Sequence, residues 1–81
     1  MAPPDYKNGH SAEVSIRLLL NGRSLPIAQL GPDFLILEQA LEHPPSHAAI
    51  SLVIDGHEDR LPVWLPQGLS VDKVEVRLSK I

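Results

Sequence analysis

Cysteine is absent from the 81 residues, and the aromatic side chains amount to one tryptophan, one tyrosine and one phenylalanine. Without cysteine the chain has no disulfide framework, no thiolate metal site and no thiol nucleophile. Long apolar runs are missing too. Nothing in the sequence approaches the ~18 consecutive apolar residues that a membrane-spanning helix needs, so no membrane partner is expected. The segment Met1–Ala12 is polar and proline-bearing, which lacks the apolar centre of a secretory signal, and a bacterial-type cytoplasmic location is the resulting expectation. Basic charge is scarce: 7 Lys+Arg stand against 10 Asp+Glu, for a net charge of −3. A nucleic-acid binder needs the opposite balance, and none is expected as a partner.

What is present is a chain for one small domain, large enough to bury only about 60–65% of its extended surface. Residues 1–11 (MAPPDYKNGHS) carry two prolines and an Asn-Gly without periodicity, and read as a flexible lead-in to a single β domain over residues 12–81. From Glu13 the chain alternates, with Val14, Ile16 and Leu18 apolar between Glu13, Ser15 and Arg17. A period of two rich in β-branched residues marks a half-buried strand. Asn21-Gly22 then supplies a two-residue turn, because a type I′ turn needs positive φ at both central residues. That turn pairs Leu20 with Arg23, Leu18 with Leu25 and Ile16 with Ile27, so the apolar residues land on one face. Pro26 falls opposite Arg17 at a non-hydrogen-bonded position, so its missing N–H does not break the ladder.

After Gly31-Pro32-Asp33, the run Phe34–Leu37 has the character of a strand covered on both faces, extending over 34–39, with a loop over 40–46. Ala48–Asp55 alternates again, as do Leu61, Val63 and Leu65. Matching apolar residues across this hairpin sets Ile54 against Leu61, Leu52 against Val63 and Ile50 against Leu65, which requires a four-residue loop, Gly56–Asp59. Asp55 and Arg60 then flank the loop as an ion pair. The register places Pro62 at a hydrogen-bonding position opposite Val53, and a bulge there is needed to accommodate it. Val74, Val76 and Leu78 mark the last strand. The sum is an all-β fold: a small six-stranded antiparallel barrel or two-sheet sandwich built from hairpins, with almost no helix.

The stretch Ile27–Leu37 (IAQLGPDFLIL), followed by HPPSHAAISLVID and LPVWLP, resembles the layout of a PilZ domain, a six-stranded bacterial barrel that commonly binds cyclic di-GMP. The resemblance covers Val14 to Leu78 and implies a barrel and, in principle, a nucleotide ligand. The family's ligand signatures are an Arg-x-x-x-Arg before the first strand and an Asp/Asn-x-Ser-x-x-Gly at the turn between the second and third strands. Neither is here. The lead-in offers Lys7 but no arginine, and Gln29–Phe34 lacks the serine and the closing glycine, so no binding residue carries across.

Catalytic constellations are equally thin. No Gly-x-Ser-x-Gly elbow or phosphate-cradling glycine loop occurs, and no serine stands with a histidine and an acid in motif spacing. His43 and His47 bracket Pro44-Pro45, which denies them the i, i+4 geometry of a helical zinc site, and the histidines read as solvated loop residues. Asp55–Asp59 gathers three carboxylates but lacks the twelve-residue calcium pattern, and reads as a polar hairpin tip. No catalytic, cofactor or metal residue is assigned. Glu13, Arg17, Lys73, Glu75 and Arg77 read as a mixed-sign solvated face.

Trp64 stands apart. The register above puts it opposite Ser51, on the outward face with Val53 and Pro62. Trp64, Val53 and Pro62 are therefore the candidate interface, since tryptophan is enriched among residues that anchor protein partners. The functional expectation is a non-enzymatic interaction module whose partner is another protein or a second copy, pairing at the edge near Pro26 or at Lys73–Lys80. A degenerate PilZ-like small-ligand domain is the alternative. The missing arginine and serine signatures give a direct expectation: calorimetric titration with cyclic di-GMP shows no micromolar binding, and a micromolar isotherm would overturn it.

Overall fold

In the computed structural model, residues 13–81 are described, and the lead-in expected over residues 1–11 lies outside them. Seven strands follow one another: β1 (Val14–Leu20), β2 (Arg23–Leu30), β3 (Phe34–Leu37), β4 (Ser46–Ile54), β5 (His57–Leu65), β6 (Glu75–Arg77) and β7 (Ser79–Lys80). All pairings are antiparallel, in the order β6-β3-β2-β1-β4-β5-β7. Of the two all-β architectures expected, barrel or sandwich, the barrel is observed, nearly closed and with seven strands instead of six, and with no helix among the described residues. It follows that no helix there is long and apolar enough to cross a membrane. The third strand stops at Leu37 rather than at residue 39, and the fourth starts at Ser46, so the loop between them spans residues 38–45.

The first hairpin forms as its turn chemistry dictates. Asn21 and Gly22 take φ of 54° and 82°, and Leu20↔Arg23, Leu18↔Leu25 and Arg17↔Pro26 stand opposite one another. The ladder ends there. Ile16 does not pair with Ile27, because β2 turns away beyond Pro26 while β1 continues along β4 as far as Val14↔Ile54.

The second hairpin corrects the register expected from apolar matching. Asp55 and Gly56 take φ of 51° and 83°, making a second two-residue turn, and the pairs are Ile54↔His57, Leu52↔Asp59, Ile50↔Leu61, Ala48↔Val63 and Ser46↔Leu65. Neither the four-residue loop nor the bulge at Pro62 exists. The physical reason lies in parity. A two-residue turn makes Ile54:His57 a hydrogen-bonded pair, and counting inward in steps of one leaves Ala49:Pro62 non-hydrogen-bonded. Pro62 is then tolerated for the same reason as Pro26. Apolar matching fails as a guide because only the base of the hairpin lies in the core. Ile50, Val63 and Leu65 are buried, whereas Ile54 near the tip is 41% exposed.

Two corners bend the sheet into a barrel. Ala28 is the extra residue of a bulge between Ile27↔Leu37 and Gln29↔Ile36, and it carries β2 from β1 onto β3. Leu78 is the other corner. On its N-terminal side β6 pairs with β3 through Leu35↔Val76, and on its C-terminal side β7 pairs with β5 through Trp64↔Ser79. The two ends of the sheet thus belong to one short run of chain, and the Leu78 N–H donates to the Asp33 carbonyl at 3.0 Å between them. Each half of the last strand is paired on one side only, β6 with β3 and β7 with β5, so the edge expected at Lys73–Lys80 exists only as two short pieces. The unpaired half of β5, His57–Leu61, carries Glu58, Asp59 and Arg60 and ends at Pro62, a composition that discourages strand addition.

Leu18, Leu20, Leu35, Val63, Leu65 and Val76 fill the centre of the barrel, and Ile27, Leu37, Ile50, Leu69 and Leu78 complete the core. Leu69 is held by a two-bond bridge to the 38–45 loop: His43 N–H donates to the Leu69 carbonyl at 3.1 Å, and Leu69 N–H to the His43 carbonyl at 2.8 Å. Gly68 makes this approach possible. Its φ is +64°, and a Cβ built there lies 2.1 Å from the His43 carbonyl oxygen. Gly22, at φ +82°, has nothing within 4 Å of the same position. Gly22→Ala should therefore lose only the left-handed backbone penalty, about 1–2 kcal/mol. Gly68→Ala adds a backbone collision and should lose more than about 3 kcal/mol in urea unfolding, or fail to fold. Equal losses would show that the loop moves aside freely.

Candidate functional site

The outward face of β1, β4 and β5 carries the residues singled out from sequence, in an arrangement different from the expected one. Trp64 stands opposite His47, not Ser51, and the two rings are 4.9 Å apart at 56°. Pro62 follows two residues along β5, opposite Ala49. Val53 pairs with Glu58, six residues along β4 from His47, which places it about 20 Å from Trp64 at ~3.3 Å per residue. So Trp64 and Pro62 share a patch and Val53 does not belong to it. Trp64 is half-buried, its ring covered on one side by His47.

Between Trp64 and Val53 the same face is polar. Ser51, buried to 5% exposure, is the one buried polar side chain among the described residues. Its hydroxyl donates to Glu58 Oε2 at 2.7 Å, and Arg60 Nε donates to the same oxygen at 2.9 Å. These two bonds, Ser51 first and Arg60 second, hold the Glu58 carboxyl below the ordinary glutamate value. One strand further over, Arg17 Nε donates to Ser24 Oγ and its Nη2 to the Ser24 carbonyl. Arg60 is therefore the partner of Glu58, and Asp55 takes the Glu13 N–H on its Oδ1 at 3.0 Å. Each of these charged groups has a hydrogen-bond partner, and Arg17 is half-buried rather than solvated.

The histidines are dispersed. His43 sits in the loop with Nδ1 2.7 Å from the Pro44 carbonyl oxygen, whereas His47 and His57 lie on strands rather than in loops. His57 is 3.9 Å from Asp59 and fully on the surface. No three of His, Asp and Glu converge on a cation position among the described residues.

The inward face holds what the sequence reading missed. Beyond the Leu18↔Ile50 rung, β1, β4 and β5 project past the barrel and continue to present apolar side chains inward: Ile16 and Leu52, then Val14 and Ile54. Leu30, at the end of β2, forms the opposite wall. Leu30, Ile50, Leu52 and Leu61 line a slot of about 250 Å³ with Asp59 and Arg60 at its rim. Val14 is 56% exposed, Ile54 41%, Leu30 39% and Leu61 37%. Expected pairing of Ile54 with Leu61 and Leu52 with Val63 had placed these side chains in the core. The parity of Pro62 was the signal that they lie outside it. Chemically the slot offers apolar contact from four side chains, with one carboxylate and one guanidinium in its lining.

No protein-family profile, curated protein or solved structure matches the chain.

Glu58 gives the outward face a pH signature. A carboxyl whose folded-state value is depressed contributes stability that is complete above its ordinary value and is lost as pH falls through the depressed one. The urea stability of the wild type should therefore exceed that of Glu58→Gln above about pH 5, and the gap should narrow as the pH falls below the ordinary glutamate range. A gap independent of pH would show that the Ser51–Glu58–Arg60 bonds do not depend on the charge.

Proposed function

We propose that this chain is a non-enzymatic interaction module that receives a protein partner at the open end of its barrel. The observation that carries the reading is the apolar surface that the fold leaves uncovered there: Val14, Leu30, Ile54 and Leu61, contiguous with half-buried Ile16 and Leu52. In so small a domain large apolar side chains are needed for the core, and several aligned on one concave face outside it favour a second molecule as their cover. Scattered exposed apolar residues such as Val71 carry no such meaning. Trp64 and Pro62 are a lesser candidate on the opposite face, because Trp64 is already packed on His47. The PilZ-like small-ligand reading has the near-closed barrel in its favour and no matching ligand residue.

A photoreactive amino acid at position 61 or 54, introduced in the native host, tests the proposal against the same residue at position 71. Discrete crosslinks to one protein from positions 61 and 54, and not from 71, are the expected result. Indistinguishable products from all three positions would overturn it.

A further inference from the structure

The open end of the barrel combines the apolar slot with an unpaired strand edge. The β1–β2 ladder stops at Arg17↔Pro26, yet β1 runs on for Val14, Ser15 and Ile16. Leu18:Leu25 and Leu20:Arg23 are the hydrogen-bonded pairs of that hairpin, so the main-chain groups of Ile16 and Val14 point toward the side β2 has vacated. Those groups have no strand partner on that side among the described residues. Unlike the free half of β5, this edge has no proline, and Val-Ser-Ile is a good strand sequence. Side chains of Val14 and Ile16 share the inward face with Leu52 and Ile54. At the end of the edge stand two carboxylates, Glu13 and Asp55, tied together by Glu13 N–H to Asp55 Oδ1 at 3.0 Å and Asp55 N–H to the Glu13 carbonyl at 2.9 Å.

We propose that the partner contributes an extended segment of pattern apolar–x–apolar–basic, which adds antiparallel to β1 at Val14–Ile16. This rests on the interaction reading above and names the chemistry of its partner. The apolar residues fall opposite Ile16 and Val14 and project inward, toward Leu30 and Leu52. The residue opposite Ser15 faces outward and is unrestricted. The lysine or arginine falls opposite Glu13, where the carboxylates of Glu13 and Asp55 complement it. Backbone pairing supplies the orientation, and the alternating side chains supply the selectivity, as in other strand additions. A helical segment does not use the unpaired main chain, and an acidic segment meets like charge.

The probe is a synthetic peptide with the core valine-threonine-valine-lysine, added to the full-length chain at low salt and followed by amide NMR and hydrogen exchange. Binding should shift the Val14 and Ile16 amides and slow their exchange at least about tenfold. N-methylation of the two valines removes the donors that pair with β1 and should abolish binding. Replacing the lysine by glutamate should weaken it about tenfold, and Glu13→Lys, a surface change, should reverse that preference. Should Leu61→Ser remove peptide binding while the N-methylated peptide binds as well as the parent, strand addition is overturned and the interaction reading survives. Protection of Val14 and Ile16 without peptide, together with a dimeric mass in sedimentation, would overturn the proposal in favour of a second copy. Failure of every peptide, with discrete crosslinks still formed at position 61, overturns the proposed segment and leaves the interface standing.

Discussion

An antiparallel sheet encloses a core of its own only when its two ends meet, and here both ends of the sheet belong to the same few residues. The run Glu75–Lys80 pairs on one side with β3 and on the other with β5, changing partner at Leu78. Everything inside the barrel depends on that double engagement. Val76 and Leu78 close the core from this side, and the Leu37 N–H reaches the Val74 carbonyl at 2.9 Å just before the strand begins. Leu78 cannot take part in either ladder while the chain crosses from one to the other, and its N–H is satisfied by Asp33 instead. A chain of this size without disulfides gains much of its cooperativity from such closure.

Most of this architecture was legible in the residues, because alternation, turn chemistry and proline position are all local. The first hairpin is the clear case: Asn21-Gly22, the Leu18–Leu25 match and Pro26 agree, and the structure follows them. The second hairpin shows what happens when the signals disagree. Apolar matching favoured one register and the Asp55-Gly56 turn another, and Pro62 was compatible only with the latter. Local chemistry prevailed because a turn must satisfy its own φ angles and hydrogen bonds wherever it lies, whereas apolar residues must meet only where the core requires it. The projecting half of the hairpin is under no such requirement. The bulge at Ala28 and the corner at Leu78 left no local signature, since each is imposed by the need to bend a sheet around a common centre.

The same misreading explains why the candidate site moved. Assigning Leu52, Ile54 and Leu61 to the core hid the apolar slot, and setting Trp64 against Ser51 joined it to Val53. One change of register exchanges both conclusions, moving the apolar surplus from the outward face to the inward one. The outward face proves to be tied together by Ser51, Glu58 and Arg60 and by the packing of Trp64 on His47. The inward face at the barrel mouth is the part of the molecule whose apolar surface the fold itself does not use.

The closure at Leu78 also has a consequence in time. Leu35 meets Val76 across some forty residues of chain, and the same run reaches the other end of the sheet through Trp64↔Ser79. During synthesis from the N-terminus, the two hairpins emerge first and find their turns at once, but neither can enclose a core until residues 75–80 have left the ribosome. Until then Leu35, Leu65 and their neighbours face water on an open, half-built sheet. A sheet closed by partners this distant in sequence completes its core only with that run in place, and its apolar residues are most exposed in the interval before it arrives.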